Sequence, residues 1–361
     1  MKKELRLMKG NEAVAEAAIR AGADGYFGYP ITPQSEVLEY LMAEKPYERT
    51  GMVVLQAESE IAAINMVYGA AGCGKMAITS SSSPGISLKQ EGISYMAGAE
   101  LPGVILNVVR GGPGLGTIQP SQADYFQAVK GGGHGDYRML VLAPASVQEM
   151  ADFTLLGFEL AFKYRNPVMI LSDGALGQMM EKVELPEPVP CRTEEEIRQQ
   201  CPWATLGKPA NMERNIITSL NLESLKQEQH NLKLQAKYAQ MEREEVRYEE
   251  IMCEDAEYLL VAFGSSARIC QKTLRMAREK GIKAGLLRPI TLYPFPQKPL
   301  FELARRVKGI LVVEMNAGQM IEDVKLAVCG KIKTEHFGRF GGVIPSPSEV
   351  LQALEQKIIG G

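Results

Sequence analysis

The sequence has no close cysteine pair, no long apolar run and no marked excess of charge of either sign. Its six cysteines are scattered through 361 residues without a C-x-x-C pair, so the chain is not expected to hold zinc or an iron–sulfur cluster. Free thiols in a reducing compartment are the favoured interpretation. The formal net charge of −3 gives no indication of nucleic acid or an anionic membrane as a partner.

No segment is expected to enter a membrane. No apolar stretch approaches the roughly 20 residues that span a bilayer. The N-terminus carries two lysines followed by ordinary mixed sequence, without the apolar core of a signal peptide. We therefore expect a soluble, cytoplasmic protein.

The sequence matches several nucleotide-binding and catalytic motifs only in part or not at all. Residues 69–75 fit the phosphate-binding pattern G-x-x-x-x-G-K, but Met76 stands where Ser or Thr would ligate magnesium. Residues 111–116 miss the dinucleotide fingerprint, because Thr117 occupies the place of its last glycine. The three histidines show no ligand spacing and no G-x-S-x-G motif occurs, which argues against zinc and nucleophile-triad chemistry.

Short apolar runs alternate with helical patterns from residue 5 to about 182. The first helix is predicted over residues 11–21. Strands are predicted at residues 25–29, 52–56, 76–79, 104–109, 140–143 and 168–171. Strands that are apolar throughout, and separated by helices, indicate a parallel sheet covered on both faces. We predict a doubly wound α/β domain over residues 1–182.

The composition changes between residues 183 and 253. A proline-rich stretch at 185–190 leads into polar sequence, and residues 211–250 are rich in Glu, Gln, Lys, Arg and Leu. This predicts a linker with one or two long amphipathic helices, which serves as a spacer or subunit contact. From 254 to 361 the α/β pattern resumes, with strands predicted at 258–263, 284–287 and 309–313, and we expect a second, smaller parallel domain.

Glu60 is the most informative single residue. It opens an almost wholly apolar helix that offers it no basic partner along its length. On spacing alone, its carboxylate either complements the helix N-terminus, which is worth roughly 0.3–1 kcal/mol, or points into a pocket.

The surroundings of Glu60 resemble the pyrimidine-binding domain of thiamine diphosphate enzymes. That domain has a glutamate at a helix start, a glycine nine positions later, a Gly-Lys turn, a strand and a hydroxyl-rich turn. The matching features here are Glu60, Gly69, Gly74-Lys75, residues 76–79 and Ser82-Ser83-Pro84-Gly85. The resemblance implies that Glu60 shares a hydrogen bond with the aminopyrimidine ring nitrogen of the cofactor, in a dry pocket that strengthens the bond.

Further motifs make the chain similar, over essentially its whole length, to the α subunit of 2-oxoacid:ferredoxin oxidoreductases. They are Tyr29-Pro30-Ile31-Thr32-Pro33, Glu58-Ser59-Glu60, and residues 108–113, 287–296 and 314–319. The stretch at 131–137 resembles the branched-chain type, which acts on 3-methyl-2-oxobutanoate (2-oxoisovalerate). The fold implied is a pyrimidine-binding-type domain followed by a smaller transketolase C-terminal-like domain.

The resemblance also implies residue roles. Glu60 is the expected catalytic residue, and Thr32 and Arg110 are expected to bind the substrate, with the Arg110 fork on the oxoacid carboxylate. For Arg110 the residues alone leave a surface ion pair open. The residues expected at the cofactor are Tyr29, Pro30, Ile31, Glu60, Ser83, Pro84 and Gly85, and no metal ligand is expected on this chain.

The implied reaction is oxidative decarboxylation, in which a 2-oxoacid and coenzyme A give acyl-CoA, carbon dioxide and two electrons for ferredoxin. The diphosphate-binding half of such enzymes carries Gly-Asp-Gly followed by Asn to hold magnesium. Residues 172–174 lack the first glycine of that motif. We therefore expect this chain to share thiamine diphosphate with a β subunit. That subunit would bring Mg²⁺ and a [4Fe-4S] cluster, and ferredoxin-like and γ subunits are expected beside it.

Substrate choice is argued from residues 111–129, which contain no Lys or Arg but include Leu115, Ile118 and Phe126. If this loop forms the side-chain pocket, a branched apolar acid fits better than 2-oxoglutarate, which needs a cation. A 2-oxoglutarate enzyme, another thiamine enzyme (transketolase-like or an NAD-linked dehydrogenase component) and a non-catalytic scaffold subunit remain as alternatives.

Overall fold

The computed structural model describes residues 4–208, 210 and 213–360. Its strands are β1 (Glu4–Lys9), β2 (Gly25–Gly28), β3 (Val53–Gln56), β4 (Ala77–Ser81), β5 (Gly103–Val109), β6 (Leu140–Leu142), β7 (Pro167–Asp173), β8 (Met180–Leu185), β9 (Tyr248–Ile251), β10 (Tyr258–Val261), β11 (Ala284–Pro289), β12 (Thr291–Tyr293), β13 (Ile310–Glu314) and β14 (Thr334–Gly338).

Helices separate most of these strands. They are α1 (Gly10–Arg20), α2 (Ser35–Glu44), α3 (Pro46–Thr50), α4 (Glu60–Gly72), α5 (Pro84–Gly98), α6 (Val147–Tyr164), α7 (Gly174–Gln178), α8 (Glu194–Gln200), α9 (Ser224–Glu244), α10 (Gly264–Glu279), α11 (Gln297–Ala304), α12 (Met320–Val328) and α13 (Pro347–Leu354). Two π-helical turns lie at Gln127–Gly131 and Glu355–Ile359.

The first sheet has the strand order β12-β6-β7-β5-β4-β2-β3, and β2 to β7 pair parallel with one another. All six strands predicted for the N-terminal region lie in this sheet. β5 and β7 are buried at every residue, as wholly apolar central strands of a doubly covered sheet should be. The predicted doubly wound parallel domain is confirmed.

The second sheet has the order β14-β13-β10-β11-β9 and is parallel except for its edge strand β9. It contains the three strands predicted after residue 254, which confirms a second, smaller α/β domain. Strand β12 leaves this part of the chain and pairs antiparallel with β6 of the first sheet, a connection that no sequence pattern indicated.

The predicted domain boundaries, after residues 182 and 253, lie within or next to strands that pair with other parts of the chain. Residue 182 lies inside β8, which pairs antiparallel with β1 in a separate two-stranded sheet. Strand β9 lies inside the predicted linker, yet it forms the edge of the second sheet. Its sequence, Tyr-Glu-Glu-Ile, is largely exposed, and charged edge strands of this kind show no apolar pattern. The division of the chain into 1–182, 183–253 and 254–361 stays a prediction.

One long helix, α9, accounts for the helical prediction between 211 and 250. Its buried residues Leu234, Tyr238 and Met241 recur at helical spacing and pack against the main core. The prediction was wrong for residues 213–221, which form no helix. There Asn215 donates to the carbonyls of Pro202 and Ala204 instead. Residues 211 and 212 lie outside the described part of the chain. Within that part, no helix is long and apolar enough to cross a membrane.

Candidate active site

The predicted site residues follow strands β2, β4 and β5 of the first sheet, at the carboxyl ends where open α/β sheets bind ligands. Arg110 follows β5, and its Nη1 donates to the carbonyl of Thr32, beyond β2, at 2.9 Å. Ser83, which follows β4, exchanges two hydrogen bonds with Arg110: its Oγ accepts from the Arg110 N–H at 3.1 Å and donates to the Arg110 carbonyl at 3.2 Å. The fold thus brings three sequence-distant predicted residues together.

Glu60 points into the protein and not outward from the helix start. It is only 7% exposed, although it is the first residue of α4. Ser59 caps the helix by accepting from the Ala62 N–H at 3.2 Å, so the Glu60 side chain is not needed as a cap. Of the two alternatives that spacing left open, the structure favours the inward one.

Gly85 explains how Glu60 and the turn after β4 approach so closely. A Cβ built at Gly85 would lie 2.7 Å from Glu60 Oε1 and 2.1 Å from Ser81 Oγ. Only glycine leaves this space open. The Ser81 and Ser82 hydroxyls are buried, and neither has a hydrogen-bond partner among the described residues. These are the properties expected of a site that is completed by a ligand.

Lys89 is a residue that the sequence argument missed. It lies on α5, its side chain is fully buried, and its Nζ donates to Thr79 Oγ1 at 2.9 Å. Burial lowers the pKa of Lys89 to about 8, and the negative charge of Glu60 opposes that decrease. The charge of Glu60 thus acts on a buried lysine of α5, which donates its hydrogen bond to Thr79 of β4. A lysine within the apolar periodicity of residues 84–98 was the available signal.

Ser83 holds a backbone conformation that L-residues rarely adopt, with φ of 22°. Its N–H donates to Asn107 Oδ1 at 3.2 Å, and Asn107 Nδ2 donates to Asp124 Oδ2 at 2.9 Å. Burial raises the pKa of the Asp124 carboxyl. Strained residues cluster at functional sites, where the surroundings enforce them. Here a buried polar network enforces the turn that begins α5 at Pro84.

Arg110 is more buried than a surface ion pair would be, with 6% exposure. Its Nη2 donates to the carbonyl of Leu115 at 3.1 Å, so both terminal nitrogens are anchored to backbone carbonyls. Its Nε has no hydrogen-bond partner within the described chain. An anchored guanidinium with unused N–H groups is suited to binding a planar carboxylate.

The turn after β2 is held by hydrogen bonds from buried side chains, and part of it is exposed. Gln34 is buried; its N–H donates to the Ile31 carbonyl and its Nε2 donates to the Tyr29 carbonyl at 3.1 Å. Pro30 and Thr32 are exposed, and Tyr29 and Ile31 are half-buried. The Pro33 carbonyl accepts from Asn11 of α1 at 2.8 Å. The turn therefore presents its polar atoms on a rigid base.

The loop at 111–129 does not form an apolar pocket within this chain. Leu115 and Ile118 are 82% and 55% exposed, whereas Phe126 packs against the main core beside Tyr125. The three side chains that favoured a branched substrate therefore do not converge here. A pocket built from Leu115 and Ile118 requires a surface from another chain.

The motif at 314–319 joins the two domains. Buried Glu314 accepts from the backbone N–H groups of Met320 and Ile321, at the start of α12, and burial raises its pKa. Gln122, in the loop after Arg110, accepts from the Met315 N–H at 3.0 Å and donates to the Phe263 carbonyl at 2.9 Å. This motif positions the second domain against the loop that carries the site.

No group of three or more metal-ligating side chains occurs in residues 4–208, 210 or 213–360. Asp173, in the incomplete Gly-Asp-Gly-like stretch, is buried and caps α7 by accepting from the N–H groups of Ala175 and Leu176. Burial raises its pKa. Its position is that of a structural cap.

Comparison with known proteins identifies two matching family models. Residues 16–250 match the thiamine diphosphate-binding domain of pyruvate flavodoxin/ferredoxin oxidoreductases. Residues 256–350 match core domain II of pyruvate:ferredoxin oxidoreductase.

Two relatives match over nearly their whole length. Ketoisovalerate oxidoreductase subunit VorB of Methanothermobacter marburgensis is 52% identical, and the match covers 97% of each chain. The 2-oxoglutarate synthase subunit KorA of Archaeoglobus fulgidus is 37% identical over 98% of this chain and 100% of its own.

Two solved structures share the fold. The 2-oxoglutarate:ferredoxin oxidoreductase of Magnetococcus marinus, solved with 2-oxoglutarate, coenzyme A and succinyl-CoA bound, superposes with a TM-score of 0.86 at 27% identity. The match covers 98% of this chain but only 65% of that longer chain. An inactive split-gene transketolase matches at a TM-score of 0.59 and 14% identity, covering 98% of both chains, which shows likeness of fold alone.

Proposed function

Because the chain belongs to the 2-oxoacid:ferredoxin oxidoreductase family, we propose that it is the α subunit of an enzyme that oxidises 2-oxoisovalerate. The products are the branched acyl-CoA, carbon dioxide and two electrons for ferredoxin. The observation that carries the proposal is the convergence of Thr32, Ser83 and buried Arg110 at the carboxyl ends of β2, β4 and β5, with buried Glu60 of α4 close to Gly85 in the turn after β4.

The residues around Glu60 fit the aminopyrimidine of thiamine diphosphate. A buried carboxylate lies near the Ser81 hydroxyl, which has no hydrogen-bond partner in the described chain, and Gly85 leaves room for close approach. The bound cofactor supplies a carbon nucleophile for the oxoacid carbonyl. Glu60 holds a proton at the ring nitrogen of the cofactor, and the apolar wall of α4 excludes water and strengthens that hydrogen bond.

The remaining site residues orient the two ligands. Arg110 binds the oxoacid carboxylate through its free N–H groups, and Thr32 offers its exposed hydroxyl to the substrate. Two backbone segments form the walls of the cofactor site; they are the turn at Tyr29, Pro30 and Ile31, and the start of α5 at Ser83, Pro84 and Gly85.

This chain supplies half of the active site. A β subunit is proposed to bring the diphosphate and Mg²⁺ site and a [4Fe-4S] cluster, because residues 172–174 lack the first glycine of the Gly-Asp-Gly motif and the cysteines form no close pair. Ferredoxin-like and γ subunits complete the proposed complex. The cytoplasm is the proposed location, in keeping with six free cysteines.

The branched-chain substrate rests on the relatives. The ketoisovalerate oxidoreductase subunit is 52% identical to this chain and the 2-oxoglutarate synthase subunit 37%. The lack of Lys and Arg between 111 and 129 also disfavours a second substrate carboxylate. Selectivity for 2-oxoglutarate is the alternative, and a cation from the partner subunit would produce it.

The test is anaerobic viologen reduction by the chain co-expressed with its gene neighbours, with coenzyme A and thiamine diphosphate present. We expect the highest kcat/KM for 2-oxoisovalerate among four acids: 2-oxoisovalerate, 2-oxoglutarate, pyruvate and phenylpyruvate. Preference for 2-oxoglutarate would overturn the substrate, and absence of reduction by a complex with intact clusters would overturn the function. Glu60→Gln should lower turnover by at least about 100-fold, whereas unchanged turnover would indicate a scaffold.

A further inference from the structure

The interface between α4 and α5 contains one buried cation, Lys89. Gly85, Lys89 and Gly92 recur at spacings of four and three residues, so they share one face of α5. That face packs on α4. Both glycines lie close to α4 side chains: a Cβ at Gly85 would meet Glu60, and a Cβ at Gly92 would lie 2.6 Å from Ile64 Cγ2.

This arrangement places Lys89 one turn beyond Gly85, on the face of α5 that packs against the helix that begins with Glu60. Side chains on a helix lean toward its N-terminus, which here is the end that carries Gly85 and faces Glu60. Lys89 Nζ makes one hydrogen bond, to Thr79 Oγ1 at the adjacent strand β4, although an ammonium group has three donors. In the described chain, Glu60 is the charged group that acts on the pKa of Lys89.

A buried ammonium group without a compensating charge is strongly disfavoured, and so is a buried carboxylate. Glu60 and Lys89 therefore offset each other across the helix interface. Thr79 holds the ammonium on the β4 side, so the carboxylate stays free of a direct protein donor and available to a ligand.

We propose that Lys89 is a positioning residue, the buried counter-charge that holds the Glu60 carboxylate in place to receive the aminopyrimidine of thiamine diphosphate. This inference rests on the proposed function. It assigns to Lys89 an effect on the cofactor that passes entirely through Glu60, since Lys89 itself is fully enclosed.

The pairing is tested first without cofactor, by a double-mutant cycle of E60Q and K89M on the thermal unfolding of the full chain. Methionine keeps most of the apolar stem of lysine but removes the charge. K89M changes Tm once in the native background and once in the E60Q background. We expect the decrease in the native background to be larger by at least about 2 °C. Additive shifts would overturn the pairing.

A matched control is K237M. Burial also lowers the pKa of Lys237 to about 8, but the partner of Lys237 is Glu100. The changes in Tm caused by K237M and E60Q should therefore be additive. If they were coupled as strongly as those of K89M and E60Q, a specific Glu60–Lys89 pair would be overturned.

The role toward the cofactor is tested by calorimetry of thiamine diphosphate binding, with Mg²⁺ present, to the cofactor-stripped complex. Without the counter-charge the Glu60 carboxylate is no longer held in place, so we expect K89M to raise the Kd for thiamine diphosphate by about tenfold. K237M should leave that Kd unchanged.

An unchanged Kd for thiamine diphosphate in K89M would overturn the positioning role even if the double-mutant cycle showed coupling. Failure of the native complex to bind thiamine diphosphate would overturn the proposed function instead, and with it the role of Lys89 toward the cofactor. The two failures are therefore distinguishable.

Discussion

Gly85→Ala is the substitution that most directly tests the geometry of the site. The added Cβ would lie 2.7 Å from Glu60 Oε1 and 2.1 Å from Ser81 Oγ. Restoring ordinary contacts of about 3.5 Å requires these oxygens to retreat by about 0.8 Å and about 1.4 Å. Both belong to side-chain ends that can rotate, so the chain should still fold.

The expected cost is in catalysis more than in stability. A displacement of about 1 Å at a catalytic group costs roughly 100-fold in rate, or about 2.7 kcal/mol of activation free energy. In the free energy of unfolding, overpacking of about 1–3 kcal/mol is partly offset by about 1 kcal/mol of helix propensity. We expect turnover in the viologen assay to decrease about 100-fold while the chain remains folded.

Gly157→Ala is the matched control. Gly157 lies within α6, and its Cβ would meet Val104 at 3.4 Å, an ordinary contact. This variant should keep full turnover and gain up to about 1 kcal/mol of stability. A G85A complex that turns over within twofold of the native complex would refute the close approach of Glu60 to the start of α5.

Three other variants test separate contacts. Arg110→Lys keeps the charge but loses the fork, so KM for the oxoacid should rise about tenfold or more in steady-state kinetics, and an unchanged KM would remove Arg110 from the substrate site. Gln122→Met removes the side-chain partner of the Phe263 carbonyl, the Met315 N–H and the Ser266 hydroxyl. Denaturant unfolding should show that the free energy of unfolding decreases by about 3–6 kcal/mol. The control Q119M, at an exposed position of the same loop, should leave the free energy of unfolding almost unchanged. Since the pKa of Lys89 is about 8 in the folded chain, against an ordinary value of 10.5, the unfolded chain binds more protons between these values. The stability of the native chain relative to K89M should therefore rise by about 3 kcal/mol from about pH 8 to about pH 10.5, and parallel pH profiles would contradict this.

The architecture was largely predictable because it depends on local patterns. Short, mainly apolar runs such as residues 104–109 and 168–171 are typical of central strands covered on both faces, and they lie in β5 and β7. Strand β9 and the non-helical stretch at 213–221 were missed. A charged edge strand has little apolar signal, and polar sequence that suits a helix also suits an extended arm.

The site could be predicted in part. Glu60, Ser83 and Arg110 stand out by motif, but motifs do not show whether a carboxylate is buried. The apolar residues of the loop at 111–129 led to a wrong expectation. Leu115 and Ile118 suggested a pocket, but both side chains are exposed in the folded chain.

The sequence by itself determined the alternation of strands and helices, the absence of a close cysteine pair, and the identity of the acidic and basic groups at strand ends. Tertiary structure decided the rest. Packing of α5 on α4 places Lys89 and buried Glu60 at one helix interface. The return of β12 to the first sheet and the Gln122–Met315 hydrogen bond are among the contacts that join the two domains. The physical reason is that burial and charge compensation depend on which distant segments meet, and no local pattern of residues records that.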